Sequence, residues 1–335
     1  MLNSLKKSFI FFGFLLCLGF ITIWGESVEW KRSSALKNQA EDDSQSYDEE
    51  SYFQDVSFYR VKDEKPVLHL DAKELSMNSA SGKSLFTEPQ GVAFTGNGEP
   101  VQYQARKGFL FRQENQIIFE NEVQFNLETS TLVADKTTYF MDKDEIVSNG
   151  NVKTTSVSVD GKSKEDIRVW SNSAVTWPSK DKSRYEGDVR GLIKRKRVYE
   201  ENIRFKAQQV DVDMVSLQID LLEDVHLEKQ QLKADSHRGE IFLENYNKKL
   251  KYFVLYDDVK VVEKVKLEKD GRVSSFERRA FGEKLEGMMS ESKIILTGYP
   301  KVFQQNDVIT GNKIVLRENN EVVEVDDANT NFILR

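Results

Sequence analysis

The chain has 335 residues, enough for two domains of ordinary size or one elongated domain. Its formal net charge of −7 argues against nucleic acid as the main partner, because phosphate binding requires surplus Lys and Arg. The single cysteine, Cys17, excludes an internal disulfide and a cysteine metal cage, and the three histidines fit no ligand spacing. No cofactor or metal is therefore expected.

An uncharged stretch near the N-terminus predicts a membrane helix. Lys6 and Lys7 precede residues 8–24, whose sequence is SFIFFGFLLCLGFITIW. At 1.5 Å per residue this helix would be about 25 Å long, slightly less than a ~30 Å hydrocarbon core. A cleaved signal peptide is the alternative, but Gly25 is the single small residue at the expected cleavage site. With an uncleaved helix, the lysines place residues 1–7 in the cytoplasm and the rest of the chain on the far side of the membrane.

The next segment, residues 25–50, is polar and carries an acidic cluster between Glu41 and Glu50. Low hydrophobicity combined with charge of one sign is typical of disordered chain. We predict a disordered acidic tether that holds the folded part off the membrane.

A short phrase recurs through the rest of the chain. It consists of an apolar stretch, an acidic, Asn or Gly corner, and a valine that restores the apolar-polar alternation. The copies are IIFENEVQF (117–125), IVSNGNVKT (146–154), SRYEGDVRG (183–191) and DLLEDVHLE (220–228), with looser versions at 254–262 and 295–303. Such self-similarity indicates one supersecondary unit stacked on itself.

A second element has a fixed spacing to this phrase. In three copies an alanine is followed by a polar residue that lies seventeen positions before the corner valine, as in Asp135 and Val152. The pairs are Arg106 and Val123, Asp135 and Val152, and Gln208 and Val225, while Asn172 and Val189 keep the spacing without the alanine.

The alternation of period two indicates β-strands, and no stretch after Glu50 sustains a helical apolar stripe. The predicted fold class is all-β. A stack of short antiparallel strands with one apolar face must curl or pair with a second sheet, so we expect a jelly roll or a bent, taco-like sheet. Asn149-Gly150-Asn151 is then a corner, either a hairpin turn or a bend between two sheets. Polar inserts, above all RGLIKRKRVYEEN (190–202), predict a boundary between β domains at 51–193 and 198–335.

The Ala-Asp openings, the GNV corner and the closing segment LTGYPKVFQQNDVITGNKIVL (296–316) resemble the OstA-like repeats of lipopolysaccharide-transport proteins. Residues 203–335 are similar to LptA, the periplasmic bridge component. Residues 1–193, with YFQDVSFYRVKDEKPVLHLDAKEL (52–75) and YQARKGFLF (103–111), are similar to LptC, the inner-membrane component with one N-terminal helix. The family usually has these as separate chains, whereas here they are joined.

This resemblance implies two tandem OstA-like β-jelly-roll domains after one transmembrane helix. It also implies a single-pass inner-membrane protein with most of the chain in the periplasm. The protein would bind lipopolysaccharide or a similar glycolipid and pass it from an inner-membrane ABC transporter toward the outer membrane. The chain has no phosphate-loop motif, so a partner must supply the energy from ATP.

An apolar face that runs along the stack would shield acyl chains, each CH₂ of which costs about 0.8 kcal/mol to expose to water. The alternative is that the same side chains fill a closed core. The predicted groove residues are Phe119, Val123, Phe125, Ile146, Val152, Leu217, Ile219, Leu221, Leu227, Phe253, Leu255, Val259, Val261, Ile294, Leu296 and Val302.

Two further segments could contact partners. The strand Asn329–Arg335 at the C-terminus predicts an open edge for pairing with other OstA-like proteins, unless it is a frayed terminus. The cluster Lys194–Arg197 could bind lipid phosphates, or it could be a solvated linker.

Catalysis finds no support in the sequence. It contains neither a Gly-x-Ser-x-Gly elbow nor a His-Glu-x-x-His motif, and pairs such as Asp257-Asp258 lie at corners, where acidic residues favour turns. We therefore expect a non-enzyme. The alternative to a transport protein is a non-transporting β-structural scaffold of the cell envelope.

Overall fold

The structure, a computed structural model, describes residues 50–62, 64–78, 83–112, 114–128, 130–156, 167–194, 202–244, 250–269, 272–288, 291–317, 320 and 322–326. These residues form an all-β protein, as predicted, and residues 50–335 make up one compact unit. The predicted cytoplasmic residues 1–7, the membrane helix at 8–24 and the tether as far as residue 49 lie outside the described residues. Among the described residues, no helix is long and apolar enough to cross a membrane.

In the described part of the chain, twenty-one strands form a single sheet in which paired strands are antiparallel. One turn of 3₁₀ helix, Pro178–Lys180, connects the tenth of these strands to the eleventh. The strands are β1 (Glu50–Lys62), β2 (Lys65–Asn78), β3 (Lys83–Thr87), β4 (Gln90–Phe94), β5 (Pro100–Gln104), β6 (Lys107–Phe111), β7 (Gln116–Leu127), β8 (Ser130–Phe140), β9 (Glu145–Ser156), β10 (Ile167–Trp177), β11 (Lys182–Ile193), β12 (Ile203–Asp213), β13 (Gln218–Lys229), β14 (Leu232–Leu243), β15 (Leu250–Lys269), β16 (Arg272–Met288), β17 (Lys293–Thr297), β18 (Lys301–Gln304), β19 (Asp307–Thr310), β20 (Lys313–Arg317) and β21 (Val323–Asp326).

The recurring phrase is a bend inside a strand rather than a hairpin turn. In β9, Gly150 has φ +77° and Asn151 has φ +46°, and the pairing register shifts there against β8 and β10. An extra residue of this kind is a β-bulge, which bends the strand and increases its twist. The same two consecutive left-handed residues occur in β7, β11, β13 and β15 and between β17 and β18: Asn121/Glu122, Gly187/Asp188, Glu223/Asp224, Asp257/Asp258 and Gly298/Tyr299.

These bends divide the sheet into two arms that face each other. We call arm 1 the part that contains β3, β6, the first halves of β7, β9, β11, β13 and β15, and then β17, β20 and β21. Arm 2 contains β4, β5, the second halves of the same five strands, and then β18 and β19. The strands that lie between these five, such as β8 and β10, also run from one arm to the other. Side chains alternate along each half of a strand, so both arms have an apolar inner face. In the crossing strands the alternation shifts by one residue at the bend, as from Ala134 to Thr137 in β8.

Most connections at the tip of arm 1 have the same length, although six residues, 244–249, link β14 to β15. Four residues link β6 to β7, β8 to β9, β10 to β11 and β12 to β13. The last residue of each connection is left-handed: Asn115, Asp144, Asp181 and Leu217, with φ between 47° and 57°. Asn and Asp are common in this conformation, whereas Leu is not.

The sheet continues through the predicted domain boundary. β11 pairs with β12 from Val189 opposite Ala207 to Ile193 opposite Ile203. The boundary predicted near residues 193–198 therefore lies in a connection of arm 2 between two paired strands, and no break in the described part of the sheet marks it. The division into domains at 51–193 and 198–335 remains a prediction.

Candidate lipid-binding groove

The inner faces of the two arms hold almost all of the predicted groove residues. Every one of them except Leu217 has at most 2% of its surface exposed, and all of these belong to one continuous apolar cluster. Leu217 is half-buried against this cluster because it occupies the left-handed position at the end of an arm 1 connection, with φ 57°. The alternation thus identified side chains of the interior, and Leu217 packs against them from a turn rather than from a strand. That these residues bind lipid stays a prediction.

Aromatic rings join the two arms near the first bend. Phe119 lies before the Asn121-Glu122 bend and Phe125 after it, and their ring centroids are 5.5 Å apart in an edge-to-face arrangement. Tyr103 of β5 packs on Phe119 at 4.7 Å, and its hydroxyl donates a 2.8 Å hydrogen bond to the carbonyl oxygen of His69. Burial raises the pKa of the Tyr103 hydroxyl well above its usual range, so this side chain stays neutral.

The free ends of the arms are the ends that lie away from the bends. Near the middle of the strand order these ends stand apart and enclose a cavity of about 570 Å³. Leu132 and Val169 of arm 2 form one wall, and Tyr185 and Val212 of arm 1 form the other. Trp177 and Met214 lie at the tip of arm 1, and Thr154, Thr176 and Ser183 add hydroxyl groups. The volume falls within the range of ligand sites, about 300–1,000 Å³.

The sequence prediction missed the residues that line this cavity. Leu132, Val169 and Tyr185 are 1–3% exposed and face inward. Leu132 and Val169 lie on the strands that cross between bends, whereas the prediction took its candidates from the neighbourhood of the corner phrases. The period-two alternation of STLVADKTTYF and IRVWSNSAVTW would have identified both.

A buried ion pair closes the interior at its C-terminal end. The Arg278 Nη2 and Nε atoms donate hydrogen bonds of 2.6 and 3.1 Å to the Glu263 Oε2 atom, and both side chains are nearly fully buried. Arg278 belongs to arm 2, yet it also donates to the carbonyl oxygens of Arg317, at 3.2 Å, and Asn320, at 3.0 Å. Arg317 ends β20 of arm 1, so Arg278 ties the two arms together at their free ends.

This ion pair and Lys229 interrupt an otherwise apolar row of inward-facing residues. Across the strands of arm 2, the row nearest the free ends contains Ile167, Ile193 and Ile203 in its first half. The next members are Lys229, Leu232, Glu263 and Arg278. Sequence patterning did not predict this change, because a charged residue in phase with buried neighbours is rarely buried unless it is paired.

The site is suited to holding apolar groups and offers little for chemistry. Within the described residues, no group of three or more His, Cys, Asp or Glu side chains is placed to hold a metal ion. The interior is mostly apolar along the sheet. Its polar groups are the ion pair at the C-terminal end, the hydrogen-bonded hydroxyls of Thr137 and Ser148, and the hydroxyl groups at the cavity. Of the predicted partner-binding segments, Asn329–Arg335 and residues 195–197 lie outside the described residues, and Lys194 directly follows β11.

Comparisons with known proteins agree with the resemblance noted from the sequence. Residues 14–164 match the family model described as LptC: Lipopolysaccharide-assembly, LptC-related. The match ends inside the predicted LptC-like domain. Among solved structures, the chain is similar to LptH, the LptA homologous periplasmic component of the conserved lipopolysaccharide transport device from Pseudomonas aeruginosa. That similarity has 15% identity and a TM-score of 0.33 and covers 38% of this chain and 82% of the other. No curated protein matches the chain.

Proposed function

Because residues 14–164 are related to the LptC family of lipopolysaccharide assembly, we propose that this protein carries lipopolysaccharide or a similar glycolipid between membranes. The acyl chains would lie between the two arms, and the sugar headgroup would remain at their free ends. The protein would be anchored in the inner membrane by residues 8–24, with its β unit in the periplasm. It would receive the lipid from an ABC transporter and pass it toward the outer membrane.

The observation that carries this proposal is the continuity of the apolar interior. One inward-facing row of arm 2 crosses from strand to strand through Leu132, Thr154, Val169, Gly191, Phe205, Leu227, Ala234, Val261, Ala280 and Val302. It passes the predicted domain boundary between Gly191 and Phe205 without interruption. A single path along both predicted domains is what a lipid carrier requires.

Lipid entry requires the arms to move apart, because side chains fill most of the interior. Phe119, Ile219 and Leu296 have no exposed surface. The cavity between Val169 and Tyr185 is where the arms already stand apart, so we propose that acyl chains enter there. Each CH₂ transferred from water into this space would stabilise the complex by about 0.8 kcal/mol.

The first strand offers an edge for a partner protein. Within the described residues, β1 pairs with β2 alone, so its other edge is open. Tyr52 and Tyr59 of this strand are 71% and 65% exposed, and Tyr59 stacks on His69 at 4.3 Å. An open edge with exposed aromatic side chains is suited to strand addition by another OstA-like protein or by the transporter.

The near-complete burial of the interior also favours a second candidate function. A scaffold protein of the cell envelope would keep this core closed and would use its open edges alone. The two functions differ in whether lipid ever contacts the interior.

Photo-crosslinking in cells separates them. A photo-reactive amino acid would replace Val169 or Val212 at the cavity, Phe119 or Leu296 in the interior, and Val175 on the outer face of arm 1 as the control. Glycolipid crosslinks at the cavity and interior positions, absent at Val175 and dependent on ATP, are expected for a carrier. Interior positions that stay silent in a folded protein with verified probes would support the scaffold.

A further inference from the structure

The outer face of arm 2 is rich in cations although the whole chain is acidic. Two rows of outward-facing residues run across its strands from β9 to β18, and we call them the basic face. The first row is Lys153, Trp170, Arg190, Lys206, His226, Asp235, Lys260, Phe281 and Lys301. The second row is Thr155, Arg168, Leu192, Arg204, Glu228, Lys233, Val262, Arg279 and Phe303. Glu228 and Asp235 are the carboxylates in these rows.

The middle row of the corresponding face of arm 1 has the opposite charge. This row carries acidic residues from β12 to β21 and a single arginine, Arg184, which forms a two-pronged ion pair with Asp211. The rows on either side of it are mixed in charge and include Lys182, Arg238 and Lys284. The two outer faces therefore differ, because the basic face has a clear excess of cations and the face of arm 1 does not. The members of the middle row are Val147, Val175, Arg184, Asp211, Asp220, Glu240, Val254, Glu286, Ile295, Val315 and Glu324.

Part of the positive charge on the basic face is available to a partner. Arg190 and Lys260 pair with the bend carboxylates Asp188 and Asp258. Lys153, Lys206 and Lys301 form no ion pair with any residue that the structure describes, and they are spread from β9 to β18. Trp170, Arg190 and Lys206 line a surface cavity of about 780 Å³ on this face, and the cations continue beyond the cavity as far as Lys301.

Apolar side chains are interleaved with these cations. Phe281 and Phe303 are 37% and 40% exposed, and their rings meet edge to face at 5.8 Å. Val262 is 39% exposed in the same row as Phe303, and Trp170 is half-buried beside Lys153 and Arg190. Exposed aromatic residues next to Lys and Arg are typical of protein surfaces at a membrane interface.

We propose that the basic face binds the surface of a bilayer that contains anionic phospholipids. Strands lie about 4.8 Å apart, so the face from β9 to β18 is roughly 38 Å long, far larger than one small anion. Each Lys or Arg near an anionic membrane surface adds to the attraction, so several unpaired lysines give appreciable binding. The acidic middle row of arm 1 would be repelled, which favours the basic face as the side of the β unit that meets the membrane.

The chain itself keeps a bilayer within reach, a step that relies on the anchor of the proposed function. In the proposed function, residues 25–49 are the predicted disordered tether between the membrane helix and β1. A disordered chain of this length would have an end-to-end distance of roughly 30 Å. Such a tether would keep the β unit near the membrane surface in which the chain is anchored, where weak electrostatic binding is sufficient.

The test uses the full chain in nanodiscs made of phosphatidylcholine alone or with added phosphatidylglycerol. In a Cys17→Ser background, a polarity-sensitive fluorophore is attached through Val262→Cys on the basic face or Val175→Cys on arm 1 as the matched control. We expect the emission of the Val262 label to shift to shorter wavelength in anionic nanodiscs, and the shift to disappear at high salt. The triple variant Lys153→Glu, Lys206→Glu, Lys301→Glu should lose at least nine-tenths of the shift while keeping its melting temperature. The label at Val175 should not respond.

The proposal is overturned by an unchanged Val262 label in anionic nanodiscs, by equal shifts in both lipid mixtures, or by equal shifts of both labels. A shift of the Val262 label with lipopolysaccharide micelles but not with anionic nanodiscs would also overturn it. So would an emission change of the same size that salt produces without any lipid. A chain that fails to enter nanodiscs contradicts the proposed anchor instead. In that case the basic face is tested by flotation with anionic vesicles, which must be salt-sensitive and absent in the triple variant for the proposal to stand.

Discussion

Asn151 donates a 2.7 Å hydrogen bond from its Nδ2 atom to the Oδ2 atom of Asp135 on the neighbouring strand. The two residues are the corner and the polar residue after the alanine, which the sequence separates by a fixed interval. Arg106 and Glu122 repeat the contact at 2.9 Å, and Gln208 and Asp224 repeat it at 3.4 Å. The fixed spacing in the sequence is therefore the number of residues that lead from one bend, through arm 1, to the next bend.

The bend at Gly150 should be sensitive to an added methyl group. A Cβ atom there would lie 2.6 Å from the Asp135 Oδ2 atom, and φ is +77°. We expect Gly150→Ala to lower the free energy of unfolding by about 2–3 kcal/mol, from left-handed strain and the loss of the Asn151 hydrogen bond. Gly98→Ala is the control, because its φ is +82° but no atom lies within 4 Å of the added Cβ. Urea unfolding measures both, and equal losses would show that strain alone matters.

Filling the cavity should impair lipid binding more than stability. Val169→Phe places a larger side chain in the cavity, and we expect a stability loss of about 1–3 kcal/mol from overpacking. Glycolipid crosslinking at Val212 on the opposite wall should fall several-fold. Val175→Phe on the same strand faces outward and should leave crosslinking unchanged. Unchanged crosslinking in Val169→Phe would remove the cavity from the lipid path.

The ion pair at the C-terminal end should show strong coupling between its partners. Arg278→Met removes the guanidinium that lies 2.6 Å from the buried Glu263 carboxylate, which should lower the free energy of unfolding by about 3–5 kcal/mol. The double variant Arg278→Met, Glu263→Leu should recover part of this loss, since the buried carboxylate is removed together with the guanidinium. It should not recover all of it, because the carbonyl oxygens of Arg317 and Asn320 lose a donor. Additive losses in urea unfolding would contradict direct coupling.

The connection between β12 and β13 should contribute to the pH dependence of stability. Backbone hydrogen bonds from Ser216 and Val215 and the Lys182 ammonium hold the pKa of Asp213 below its usual range. Because the folded-state pKa is lowered, this stabilisation is present above the unfolded pKa, about 3.9, and is lost as pH falls through the folded pKa. Asp213→Asn should therefore be less stable than the parent at pH 7. The difference should shrink below about pH 4, and a difference that is constant with pH would refute the linkage.

The sequence was sufficient for the strands and most of the interior, because inward-facing residues such as Phe119 and Ile219 follow a period of two. It could not decide between a hairpin turn and a bend at Gly150. Both structures need left-handed residues, and Gly, Asn and Asp serve in either. The bend became evident through pairing register, since the two halves of β9 pair with the same neighbours on either side of it.

Neither the ion pair at the C-terminal end nor the basic face could be predicted from the sequence, and the reasons differ. Arg278 is in phase with Ala280, so the alternation assigns it inward, but charge alone would place it in water. Its burial depends on Glu263 of another strand and on carbonyl oxygens of the opposite arm. The basic face joins residues as distant in sequence as Lys153 and Lys301, which only the order and register of the strands bring into one row.

The four-residue connections of arm 1 have a consequence for engineering the chain. Hydrogen bonds between successive bends fix the number of residues in each passage through arm 1. An insertion in residues 141–144 or 178–181 would therefore displace the end of one strand relative to its neighbours. The connections of arm 2 differ in length, from two residues between β13 and β14 to ten between β9 and β10. Epitope tags or fluorescent reporters should therefore be placed between Ser156 and Ile167 or between Ile193 and Ile203, where the repeat itself already varies.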